Sequence, residues 1–136
     1  MTKDDVIDLI KDAGYGVLAT LDGKQPKARP MMPYLDEDGN LLIAALATSR
    51  TIDQIKKNPL VEMCFIDRKM AFARISGKSL ISTAKEKKEL IWNNNPMLRQ
   101  YFSGPEDPNF VLLVIETGNV EAMTPFQKSP EKISLK

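Results

Sequence analysis

The sequence predicts a mainly β domain with short α-helices, folded as an antiparallel barrel that is closed or half-closed. Three observations carry this reading. About six apolar, β-rich runs succeed one another, nearly all joined by tight turns, and no βαβ alternation marks a parallel sheet. No internal repeat or low-complexity segment breaks the pattern.

Each element follows from its residues. Val6, Leu9 and Ile10 recur at i, i+3, i+4 behind Thr2 and two aspartates, which predicts a short helix from about Lys3 to Asp12, stopped by Gly14. Tyr15 to Leu21 is a strand, Asp22-Gly23 a turn, and Lys27 to Leu35 the second arm of a hairpin. After a turn at Asp36 to Asn40, Leu41 to Leu46 is nearly continuously apolar, as in a strand buried on both faces. Thr51 to Asn58 reads as a short helix, with Asp53 in its first turn and Asn58-Pro59 at its end. Val61 to Ile66 is the next strand, and a turn at Asp67-Arg68 leads into a long strand from Met70 to Ser82, with Gly77 as a bulge or closure point.

Thr83-Ala84-Lys85-Glu86 has the spacing of a capping box, predicting a helix to about Trp92. Asn93 to Pro96 break it, Met97 to Phe102 add a helical turn or two, and Gly104 to Pro108 form a loop. Phe110 to Glu116 is the most hydrophobic strand and continues past a break at Gly118 to Met123. The domain therefore spans residues 1–123. Residues 124–136 are polar, contain Pro125 and Pro130, and are expected to dangle as a flexible tail.

With 136 residues, 43% of them hydrophobic, the chain suits one domain with a core of ordinary size. Nineteen Lys and Arg against eighteen Asp and Glu leave a net charge of +1, too little field to favour nucleic acid or an anionic membrane. The apolar runs are too short to span a bilayer, and MTKDDVIDLIKDAG lacks a signal-peptide core, so a cytoplasmic protein is expected. Cys64 is the only cysteine, which excludes an intrachain disulfide and a cysteine zinc cluster. There is no histidine, so Ser-His and Cys-His triads and histidine-ligated zinc or haem are excluded. Redox chemistry here requires an organic cofactor.

The most informative stretch is Pro26 to Thr51. Thr48, Ser49, Arg50 and Thr51 supply three hydroxyls and a guanidinium where a helix start leaves backbone N–H groups open, which is the chemistry of an anion cradle. Arg29, on the preceding strand, can reach the same place. A phosphate-bearing ligand is the natural candidate. A dinucleotide fold is disfavoured, because no GxGxxG occurs and Gly14-Tyr15-Gly16 precedes a strand.

The segments GYGVLATLDGKQPKARPMM, NLLIAALATSRT, IKKNPLVEMCFID, RISGKSLIST, ELIW, YFSGPEDPNFVLLVIE and NVEAM stand in the order of the pyridoxamine 5'-phosphate oxidase-like proteins, and the chain resembles that family from about Asp5 to Met123. These are FMN-binding split barrels that include general stress protein and flavin reductase relatives. The resemblance implies a six-stranded antiparallel split β-barrel, a homodimer, and two FMN sites at the subunit interface. It implies that Arg29, Pro30, Met31 and Met32 edge the flavin, with Arg29 reaching the phosphate end, and that Thr48, Ser49, Arg50 and Thr51 hold the phosphate. Two departures stand out. Relatives usually have Ser-x-Lys where this chain has Ser49-Arg50-Thr51, so the anchoring charge falls to Arg50 or Arg29, and many carry an aromatic residue where this chain has Met123.

Plainer roles exist for several of these residues. A Ser/Thr cluster at a helix start also serves as simple capping. Met31 and Met32 alternate across a strand, so one belongs to the core and only the other can face a ligand. Trp92 suits the core or a dimer contact, or an aromatic closing over a partner's flavin. Cys64 suits an inert core position, and Lys85, Lys87 and Lys88 alternate with Glu86 and Glu89 as on a solvated helix face. Lys56-Lys57 follows the cradle but has solvent exposure as its default.

Three functions are compatible with these residues: an FMN-dependent oxidoreductase passing hydride or electrons from a nicotinamide or other donor to a small-molecule acceptor; a non-enzymatic module binding or sensing flavin or deazaflavin; and a barrel that keeps only its dimer interface. No side chain looks like an obligatory acid or base, which suits flavin reduction and not hydrolysis. Oxidation of pyridoxamine phosphate itself is disfavoured, since the arginine- and histidine-bearing motif near that enzyme's C-terminus is missing.

Overall fold

The computed structural model describes residues 1–136. Helix α1, Lys3–Ala13, begins in a reciprocal capping box: Thr2 Oγ1 accepts from the Asp5 N–H at 3.1 Å, and the Asp5 carboxylate accepts from the Thr2 N–H at 2.8 Å. Those bonds hold the Asp5 carboxyl below its ordinary pKa. Gly14 ends the helix at φ 71°, and Val6, Leu9 and Ile10 seat it on the sheet.

Strands β1, Gly16–Asp22, and β2, Gln25–Met31, form the expected hairpin. Only the first of its two loop residues, Gly23, has positive φ, as a II′ turn requires. The arm expected to run to Leu35 breaks at Met32-Pro33, and β3 is only Tyr34–Leu35. The physical reason is a change of partner. β2 pairs with β1, whereas β3 pairs with β4, Leu41–Leu46, and Pro33 has no N–H to continue a ladder.

Helix α2 is Arg50–Lys57, β5 is Leu60–Ile66 and β6 is Phe72–Ser82. β6 starts two residues later than expected because Met70 has φ 68° and Asp67 Oδ1 accepts from the Lys69 and Ala71 N–H groups, extending the turn. Helix α3, Lys85–Asn94, precedes a 3-10 turn at Pro96–Gln100 and the long strand β7, Phe110–Met123. The capping box expected at Thr83 does not form. Ala84 is the N-cap, with no side-chain cap, while Ser82 Oγ accepts from the Ala84 N–H.

All strand pairs are antiparallel, in the order β2-β1-β5-β6-β7-β4-β3. The two ends of this path are consecutive in the chain, linked only by Met32 and Pro33. The sheet therefore coils back on itself but stays unclosed between β2 and β3, which is the half-closed barrel. Eight strands stand where six were expected, because the second arm divides and a further strand, β8, Glu131–Ile133, adds to β7. Between β6 and β7 the register skips Gly118, and a side chain at Gly77 would collide with the Glu116 carbonyl. Glycine is thus required at the bulge.

The tail expected to dangle docks instead. β8 pairs with β7 at Val120 to Ala122, and Leu135 is only 3% exposed, against Gly39. The main core fills the concave side of the sheet with Leu18, Leu41, Ile43, Met63, Phe65, Ile75, Leu113 and Ile115 under α1 and α2. A second cluster on the outer side joins Leu42, Phe110, Leu112 and Val114 to Ile91, Leu98 and Phe102. β4 and the first half of β7, Phe110 to Ile115, are continuously apolar because both their faces are covered there. Trp92 packs against this second cluster. Lys88, expected on a solvated face, is 6% exposed: its Nζ donates to the Asp107 carbonyl at 3.2 Å and sits 5.0 Å from the Phe110 ring centroid.

Candidate functional site

Ser49 sets the start of α2. Its extended backbone makes it the N-cap, its Oγ accepts from the Ile52 N–H at 3.3 Å, and its carbonyl accepts from the Asp53 N–H at 3.2 Å. The N–H groups of Arg50 and Thr51 precede that first intrahelical bond and remain available as donors. Thr48 is exposed just ahead of the cap, whereas Thr51 is buried. The hydroxyl cluster thus does two jobs, with Ser49 capping the helix and Thr51 packing beneath it.

Arg29 lies in register with Leu18, on the concave side of the β1–β2 hairpin. Its Nη1 donates to the Leu18 carbonyl at 3.1 Å and its Nη2 to Gln54 Oε1 at 3.0 Å. Thr20 Oγ1 donates to the same oxygen at 2.6 Å. These bonds tie the hairpin to α2. Partial burial lowers the Arg29 pKa without discharging a guanidinium, and no carboxylate forms an ion pair with it.

Arg50, Gln54 and Lys57 recur at i, i+4, i+7 along α2 and face the hairpin turn. With Leu21, Asp22, Gly23 and Asp53 they line a shallow groove of about 190 Å³. Arg29 is thus bonded to a residue of the helix that carries Arg50, one turn from Gln54. A larger cleft of about 680 Å³ beside the Gly77 bulge contains none of the expected site residues.

The other expected residues are divided. Met31 is half-buried against the core and Met32 is exposed at the bend, so Met32 is the methionine free to meet a ligand. Pro30 sits opposite Val17 on the other face of the hairpin from Arg29, and it has no N–H to present. It does not join the cluster around α2. Gln54 and Thr20 were not singled out from the sequence, although the i, i+4 spacing of Arg50 and Gln54 was there to be read. Cys64 has its thiol pKa raised by burial, which suits an inert residue.

Comparison with known proteins supplies the family. Residues 2–123 match the family model described as "Pyridoxamine 5'-phosphate oxidase like". General stress protein 26 of Bacillus subtilis (strain 168) is 27% identical over 140 residues, covering 98% of this chain and 96% of the relative. Among solved structures, a nimc/nima family protein from Clostridium acetobutylicum superposes with a TM-score of 0.82 at 26% identity, over 96% of this chain and 90% of the other. A pyridoxamine 5'-phosphate oxidase-related, FMN binding protein from Nostoc punctiforme superposes with a TM-score of 0.76 at 16% identity, over 95% and 86%. With the family model spanning nearly all of its length and the split-barrel strand order in place, this chain belongs to the pyridoxamine 5'-phosphate oxidase-like family.

Proposed function

We propose that this protein is an FMN-binding flavoprotein of the oxidoreductase class, transferring hydride or electrons between a nicotinamide or other donor and a small-molecule acceptor. The observation that carries the reading is the bond from Arg29 to Gln54 of α2, the helix whose first turn carries Arg50 and two open N–H groups. Two guanidinium groups, the Ser49 hydroxyl and two backbone donors are a donor set matched to a phosphate ester. The Nostoc punctiforme relative, named as FMN binding, supports the choice of ligand.

Bound FMN would supply the hydride chemistry. The chain's own residues bind and orient: Arg50 and Arg29 neutralise the phosphate, and Thr48 and Ser49 donate to its oxygens. Exposed Met32 lies at the bend where β2 leaves β1. Thr51 is placed to contribute its backbone N–H. The only carboxylates lining the groove, Asp22 and Asp53, are solvent-exposed, and the chain has no histidine, so protons are drawn from solvent or substrate.

A groove of about 190 Å³ is smaller than the roughly 300 to 1,000 Å³ of a usual cofactor pocket. We infer that a second copy completes it, giving a homodimer with cofactor sites at the subunit interface. Val17, Leu60, Ile66 and Leu80, each about half exposed, supply apolar surface for that contact. No helix is long and apolar enough to cross a membrane.

Burial of Thr51, at the position where relatives usually carry lysine, favours a second reading: a module that binds or senses flavin or deazaflavin without turnover. Two measurements test both. Denaturing the purified protein and identifying the released cofactor by mass is expected to yield FMN. Anaerobic bleaching of the yellow colour by a nicotinamide donor, with reoxidation on adding an acceptor, supports the enzyme; a colour that never bleaches supports the binding module.

A further inference from the structure

Arg29 is gripped by a neutral partner. A guanidinium has only donors, so the Gln54 atom 3.0 Å from Nη2 has to be the amide oxygen. Thr20 Oγ1 stands 2.6 Å from that oxygen, and between two oxygens the hydroxyl is the only source of a proton. Both lone pairs of Gln54 Oε1 are thus occupied, and its amide cannot flip without facing N–H groups to Arg29. Thr20 is 2% exposed and Gln54 9%, so water is a poor substitute for either bond.

We propose that Gln54 is the positioning residue for Arg29, a neutral double acceptor that fixes the guanidinium beside α2 while leaving its charge uncancelled for a phosphate. This rests on the reading of the site as an FMN phosphate site. A carboxylate at position 54 would hold Arg29 more firmly, but it would set a negative charge against the incoming dianion. A thioether of similar length would neither hold nor repel. Geometry and charge are therefore separable by substitution.

The test uses the full chain with Gln54→Glu, Gln54→Met and Thr20→Val, each checked for folding by circular dichroism. FMN and riboflavin, which differ by the phosphate, are titrated by fluorescence, and the Arg29 guanidinium resonances are followed by 15N NMR, assigned with Arg29→Lys. Slow guanidinium rotation is expected in the wild type and in Gln54→Glu, and fast rotation in Gln54→Met. FMN affinity is expected to fall about tenfold or more in both, with riboflavin affinity nearly unchanged. Thr20→Val, which removes only the second donor, is expected to cost FMN about threefold and riboflavin nothing.

Equal loss of FMN and riboflavin would reduce Gln54 to a structural residue and overturn the proposal. So would undiminished FMN binding by Gln54→Glu, or unaltered Arg29 resonances in Gln54→Met, and either leaves the FMN assignment standing. If the wild-type protein binds neither flavin while its Arg29 signals still depend on Gln54, the FMN assignment fails and the positioning role with it, although the grip itself is real.

Discussion

Arg29 and Gln54 come from different elements, the strand β2 and the helix α2, yet the Arg29 guanidinium donates to the Gln54 side-chain oxygen at 3.0 Å, and Arg50 lines the same groove as Gln54 one helical turn away. No carboxylate forms an ion pair with either arginine. A guanidinium left without an ion-pair partner keeps its donors and its charge for an anion.

Arg50→Ala is expected to lower FMN affinity by about 1.5 to 3 kcal/mol, the worth of a charged hydrogen bond to phosphate. Arg50 is exposed and makes no ion pair, so the thermal midpoint of the ligand-free protein should not move. Isothermal titration beside a thermal scan checks both halves. Unchanged affinity would remove Arg50 from the site.

Leu135→Ala is expected to destabilise the fold by about 2 to 4 kcal/mol, since it empties a buried position at the end of a docked segment. Denaturant unfolding measures it. A loss below about 0.5 kcal/mol, normal for an exposed residue, would mean that residues 124–136 are peripheral after all.

Lys88→Met is expected to change stability by less than about 1 kcal/mol, because the thioether keeps the packing under α3 while removing a charge that has one carbonyl partner. Lys88→Ala is expected to cost about 2 kcal/mol or more by opening space over Phe110. If both cost the same, the ammonium and not its stem carries the contribution.

Asp107 accepts from the Ser103 N–H, the Asn109 N–H and the Ser103 hydroxyl, and these bonds lower its pKa from the ordinary 3.8. A carboxylate depressed on folding contributes stability that is fully present above its unfolded value. That contribution is lost as pH falls through the lower folded value. Asp107→Asn should therefore lower the thermal midpoint near pH 6, with the difference from wild type closing as pH drops below about 3.8. A constant offset down to the lowest pH would contradict the assignment.

Periodicity made most strands and all three helices legible, because β4 and the Phe110 to Ile115 half of β7, apolar on both faces, and α1, with its cap and its Val6-Leu9-Ile10 stripe, agree at every local level. What escaped depends on partners remote in sequence. Nothing local in Glu131-Lys132-Ile133 announces a strand, since its pairing is supplied by Val120 to Ala122. Lys88 is concealed by the loop bearing Asp107, and a division at Met32-Pro33 appears only once β1 and β4 are seen as different neighbours. In the site, Arg29 and the Ser49-Arg50 helix start were readable as donors. Gln54 was not, because an acceptor for Arg29 lies 25 residues away and becomes one only when α2 packs on the hairpin.

The most direct test is a crystal structure of the protein soaked with FMN. The phosphate is expected within hydrogen-bonding distance of Arg50, Arg29 and the N–H groups that open α2. A vacant groove, or a phosphate seated away from both guanidinium groups, would contradict it.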